Sequence, residues 1–191
     1  MNFLGHLYFS NNDKDLMLSN LYGDFVKGKN FTNYSAIVQK GIRLHRSIDH
    51  FVDTHPAVTE LRLSLYDKLP KVAGVAIDLY FDHLLARNWE NYHTKEYTLF
   101  LNEFYLHEAD FEQELKKDFN EFMGYFRTRK WLDHYPTAFG LAKSCEGVSK
   151  RISFENVLHK APEQFYIREK EIQACFEIYM NDAIKKFSNK I

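Results

Sequence analysis

Asp78, Asp82 and His83 stand in the stretch Asp78-Leu79-Tyr80-Phe81-Asp82-His83-Leu84-Leu85-Ala86-Arg87, which otherwise reads as an apolar helix. Carboxylates four residues apart share one helix face, about a turn apart. The imidazole is the next residue round. Charged side chains seldom enter an apolar helix unless something pairs with them. A carboxylate and an imidazole side by side there point to a bound divalent metal. Upstream, His45 and Asp49 form a second such group at i and i+4, with Arg46 between them. Asp24, at the end of an earlier helical segment, and His6, in the first apolar segment, could join them. Imidazole with carboxylate suits Zn, Mn, Fe or Ni, while a set richer in carboxylate and water favours Mg or Mn.

Each of these residues also has a plain structural reading. A single histidine on an apolar helix is commonly a core residue with its hydrogen bonds made. Asp49 could pair with Arg46 or Arg43, and Asp78 could be a buried acceptor. His50, His55, His93, His107, His134 and His159 lack a comparable context and read as surface or packing residues.

Cations lie close to the same groups. Lys27 and Lys29 follow Asp24, Arg43 and Arg46 flank His45, and Arg87 is one turn beyond His83. Arg127, Arg129 and Lys130 cluster later, as do Lys150 and Arg151. Guanidinium forks match phosphate oxygens, so the pattern suggests an anionic substrate, with a phosphate ester the best match. Other chemistries lack their signatures: there is no P-loop or dinucleotide fingerprint, no nucleophile elbow, and no activating partner beside either cysteine.

The elements that must position these groups read as helices. With 4 Pro and 8 Gly in 191 residues, little punctuates the chain. Apolar spacing predicts helices over 15–27, 35–52, 57–67 and 71–89, after a short apolar element at 2–10. The 71–89 helix is apolar on nearly every side and should be buried. Amphipathic helices are expected over 96–108, 111–127, 136–150 and 162–187. The expectation is an all-α fold, one helical bundle spanning 1–191.

Bulk properties narrow the function further. A net charge of -1 argues against a general electrostatic grip on nucleic acid. Two cysteines, Cys145 and Cys175, are too few for a disulfide framework and read as reduced, buried thiols. The first residues lack the basic and apolar regions of a signal peptide, and no apolar run reaches the roughly 18 residues of a membrane span. A cytoplasmic protein without membrane association is expected.

Three blocks resemble the acyl carrier protein phosphodiesterase family. They are Asn2-Phe3-Leu4 with His6, followed by Ser19-Asn20 and Asp24-Phe25-Val26-Lys27-Gly28; Gly41-Ile42 with His45-Arg46-Ser47-Ile48-Asp49; and Asp78 through Asp82-His83 to Arg87 and Trp89. Trp131-Leu132, Tyr135 and Arg151 are looser anchors in the second half. The resemblance implies an all-α, HD-domain-like fold and a divalent cation, typically manganese. It implies removal of the 4'-phosphopantetheine arm from holo-acyl carrier protein, an acidic protein substrate. On that basis His6, Asp24, His45, Asp82 and His83 are the expected metal ligands. Asp49 and Asp78 are expected as further ligands or as supports that orient the water or a ligand imidazole, Asp24, Asp49 and Asp78 in catalysis, and Arg46 and Lys27 against the phosphodiester charge. Two departures stand out. Ser19 replaces a frequent Gly, and the Asp-His doublet reverses the usual His-Asp order, so ligands do not transfer from ordinary HD enzymes by order alone. Hydrolysis of a nucleotide or other small phosphodiester, and non-enzymatic binding of an acidic partner, are the competing readings.

Overall fold

A computed structural model describes residues 1–187. Its helices are α1 (Phe3–Tyr8), α2 (Lys14–Tyr22), α3 (Ala36–Thr54), α4 (Pro56–Leu65), α5 (Ala73–Arg87), α6 (Tyr97–Tyr105), α7 (Lys117–Arg129), α8 (Ala138–Arg151), α9 (Ala161–Ile167) and α10 (Glu169–Phe187). Short 3-10 turns link several of them, and no strand occurs among the described residues. The all-α expectation is met.

The apolar helix takes the centre. Nearly every residue of α5 from Ala76 onward is buried, and it packs against α1, α4, α8 and α10. Large aromatic side chains fill the space around it, Tyr80, Phe81, Phe176 and Tyr179 among them. The Tyr80 hydroxyl, buried with its ring, donates to the Ala161 carbonyl at 2.6 Å, as a buried polar group must. Both cysteines are free and buried, and burial pushes their thiols up to about 12 at Cys145 and about 11 at Cys175.

Local signals set the helix ends. The Asp13 carboxylate accepts from the Leu16 N–H, and the Thr137 hydroxyl from the Gly140 N–H, each satisfying an orphan donor of a first turn. His55, before Pro56, is extended (φ -67°, ψ 129°) and separates α3 from α4, because proline excludes the α region at the residue ahead of it.

Several boundaries fall short of the periodicity, α2 ending at Tyr22 and α6 at Tyr105 among them, and two have tertiary reasons. The 162–187 helix is broken at Arg168 (φ -119°, ψ 21°), whose guanidinium donates to the Ser64 carbonyl at 2.7 Å. The 111–127 helix starts only at Lys117, because the preceding turn is tied to the segment after α2. There Glu114 accepts from the Ser35 N–H, and the Lys116 ammonium donates to the Phe25 carbonyl.

The pair α2 and α3 carries much of the site, and its closeness depends on one glycine. A Cβ at Gly41 would run into the Ser19 side chain and backbone. We expect Gly41→Ala to destabilise the fold by about 1–3 kcal/mol through overpacking. A lowered denaturant midpoint checks this, and an unchanged midpoint contradicts so close an approach. No described helix is long and apolar enough to cross a membrane.

Candidate metal centre

Elements distant in sequence bring three side chains together. His6 comes from α1, His45 and Asp49 from successive turns of α3. Each offers a ligand atom, all within 4.8 Å of one another. The Asp49 carboxylate bridges the two rings: Oδ1 lies 3.2 Å from His6 Nε2 and Oδ2 lies 3.1 Å from His45 Nε2. The imidazoles stack with centroids 4.2 Å apart. Gly23 sits where a Cβ would collide with His45, so the start of the Asp24 segment can lie flat against that ring.

A buried network fixes the His6 tautomer. Asn20 uses its amide hydrogens on the His6 carbonyl and on Ser10 Oγ, at 2.9 and 3.0 Å. Its Oδ1 is therefore the acceptor that faces His6 Nδ1 at 2.9 Å, and Nδ1–H donates. In the neutral ring Nε2 then carries a lone pair aimed at a carboxylate oxygen. Burial, reinforced by the neighbouring His45, lowers the His6 pKa to about 4, so a second proton is not favoured on that ring at neutral pH. Burial alone would raise the Asp49 carboxyl, but the two imidazoles set against it, His45 and His6, hold it well below the usual carboxylate range. Two electron-pair donors thus face each other with no proton to share. His45 Nδ1 is also buried without a partner. This donor set fits a divalent cation that takes nitrogen and oxygen ligands.

The cluster opens into a cleft of about 470 Å³. The Asp49 side chain, 43% exposed, faces it, and Asp24, Asp53 and Asp78 also line it. Asp78 holds the Met1 ammonium at 2.9 Å. Burial alone would lower the pKa of that ammonium, but Asp78, with Asp82 and Asp49 behind it, raises it instead. Asp78 is thereby engaged in an ion pair at the cleft wall.

Other expected site residues are placed elsewhere. Asp82 does not line the cleft. It is fully buried and accepts from the backbone N–H groups of Asn2, Leu4 and Gly5 at 3.2, 2.7 and 3.1 Å, anchoring the start of α1 to α5. Burial pushes its carboxyl up to about 7, against the Met1 ammonium and these donors. His83 points to a different face of α5, where Nδ1 meets the Tyr135 carbonyl at 2.7 Å. Adjacent residues lie about 100° apart on a helix, so Asp82 and His83 cannot address one point from α5. Arg46 also turns away from the cleft. It donates to the Val26 and Gly28 carbonyls at 3.0 and 2.6 Å and lies over Phe31, bracing the segment that follows Asp24. Lys27 is exposed and outside the cleft lining.

Sequence reading passed over Asn20, Asp53 and Arg151 as site residues. Asp53 carried a spacing signal, one turn beyond Asp49 on α3. Arg151, the last residue of α8, lines the cleft from the far half of the chain, and spacing could not foresee that.

Comparison with known proteins adds an independent line. The acyl carrier protein phosphodiesterase family model matches residues 1–183. An acyl carrier protein phosphodiesterase of Photorhabdus laumondii is 32% identical over 156 residues, covering 79% of this chain and 77% of that protein. One from Salmonella agona is 29% identical over 153 residues, 79% of each chain. One from Pectobacterium atrosepticum is 38% identical over 89 residues, 47% of this chain and 46% of that protein. No solved structure matches.

Proposed function

Because the chain belongs to the acyl carrier protein phosphodiesterase family, we propose that it is a metal-dependent phosphodiesterase that removes the 4'-phosphopantetheine arm from holo-acyl carrier protein. Water adds to phosphorus, the bond to the carrier serine oxygen breaks, and that oxygen takes up a proton. The products are apo-carrier and 4'-phosphopantetheine. The observation that carries the metal part is the opposed pair of donors: His6 Nε2 against Asp49 Oδ1, with His45 Nε2 on the other carboxylate oxygen.

His6, His45 and Asp49 would hold the cation, and Asp24, Asp53 and Asp78 stand in the same cleft. Manganese is the expected ion. When bound, a divalent ion polarises a phosphoryl oxygen and makes water acidic enough to supply hydroxide near neutral pH. The protein's own groups do the rest. Asn20 locks the His6 ring in the tautomer that presents Nε2 to the cleft. Asp24 makes no hydrogen bond or ion pair among the described residues, which leaves its carboxylate available to take a proton from the attacking water. Arg151, at the cleft edge, takes the phosphate charge that sequence reading assigned to Arg46 and Lys27.

Turnover measured side by side on holo-carrier, nucleotides and bis-p-nitrophenyl phosphate tests the substrate. Strong preference for holo-carrier supports the reading, and preference for a nucleotide overturns it. An acidic carrier should also be drawn by exposed cations such as Lys27, Lys29 and Arg129. Arg127 is no part of that surface, since Glu112 pairs with it at 2.8 Å. We expect the Michaelis constant for holo-carrier to rise several-fold between low and physiological salt as screening sets in. A constant that ignores salt contradicts electrostatic docking.

A further inference from the structure

A second groove, of about 530 Å³, runs beside the cleft. The two share Asn2, Phe3, Val148 and Arg151 as a common wall. Its floor is aromatic and apolar, with Phe3, Trp131, Tyr135 and Phe139. Phe139 and Trp131 leave 59% and 39% of their surface exposed. Exposed aromatics gathered in one concavity suggest a binding surface. Polar groups sit among them: Asn2, His134 and Ser144 can exchange hydrogen bonds with amides. Arg129 and Arg151 border the groove, and neither is in a salt bridge among the described residues.

We propose that this groove is the subsite for the 4'-phosphopantetheine arm, with Arg151 gripping the phosphate where groove and cleft meet. The inference rests on the function proposed above and extends it to the arm. The chemistry matches in order. A phosphate stands at one end of the arm, as Arg151 stands at the cleft. Beyond it come a branched apolar carbon and two amides, as the groove mixes aromatic rings with hydrogen-bonding groups. A diester whose phosphorus lies at the His6–His45–Asp49 cluster must send its two substituents apart. Placing the arm in the groove leaves the open mouth of the cleft to the carrier serine.

Gly147 provides a test that spares the core. It is an exposed residue of α8 that lines the groove, and a Cβ at this position would meet no other atom within 4 Å. Gly147→Leu therefore adds bulk to the groove wall with open space at its Cβ, and leucine favours the helix over glycine by up to about 1 kcal/mol. Gly124 on α7 is equally open and lies outside both cavities, so Gly124→Leu is the matched control. Binding of 4'-phosphopantetheine is measured by calorimetry on metal-free protein, and KM and kcat on holo-carrier with manganese. We expect Gly147→Leu to weaken binding and raise KM by at least about tenfold, as a steric mismatch in a pocket does, while Gly124→Leu matches wild type in both. Equal binding by Gly147→Leu and wild type, or no binding by wild type, overturns the groove assignment. The proposed function fails separately, if wild type binds the arm yet leaves holo-carrier intact.

Discussion

Asp49→Asn is expected to lose divalent metal and turnover together, each by at least about 100-fold, since it alters a proposed direct ligand where even supporting partners cost 10–100-fold. The carboxylate is the one group in the cluster that meets both imidazoles, at 3.2 and 3.1 Å. An amide of the same shape keeps one acceptor oxygen and turns an N–H donor toward the other ring, removing the negative charge that offsets a cation. Asp49 is 43% exposed, so the variant should keep its helical content, which circular dichroism checks. Manganese binding and holo-carrier turnover near wild type in a folded Asp49→Asn protein would falsify the assignment of this residue.

Asp82→Ala should act by another route. Its carboxylate takes the N–H groups of Asn2, Leu4 and Gly5, all near the start of a helix where no backbone acceptor is available. Removing the carboxyl strands these N–H donors, and a buried donor left unpaired costs about 1–3 kcal/mol, so a large loss of stability is expected in denaturant titration. The folded fraction should still bind metal at wild-type stoichiometry, because α1 and α3 carry the cluster. A variant as stable as wild type but free of metal would instead make Asp82 a ligand.

These two aspartates mark what could be read from the chain. The helical periodicity of the first half, the all-apolar α5 and the His55-Pro56 break follow from local rules. His45 and Asp49 were legible as a pair because i and i+4 spacing alone puts them on one face of α3. The Asp82-His83 doublet carried an equally suggestive composition, but adjacent residues diverge around a helix. Asp82 went to the α1 backbone and His83 to the Tyr135 carbonyl. Buried carboxylates serve equally as metal ligands and as acceptors for helix ends, and only the tertiary partner decides. For the same reason Arg46 read as a phosphate cation yet stitches the Val26–Gly28 carbonyls, whereas Arg151 reaches the cleft through the packing of α8 on α5. The helix breaks at Arg168 and before Lys117 belong to the same class, set by contacts with residues far away in sequence.

The central claim is that His6, His45 and Asp49 make a metal site that performs the hydrolysis. The most direct test is mass spectrometry of intact holo-carrier after incubation with metal-stripped protein, with and without manganese. The account predicts that the carrier loses the mass of its prosthetic arm only when manganese is present. Equal loss of the arm in excess chelator would contradict it.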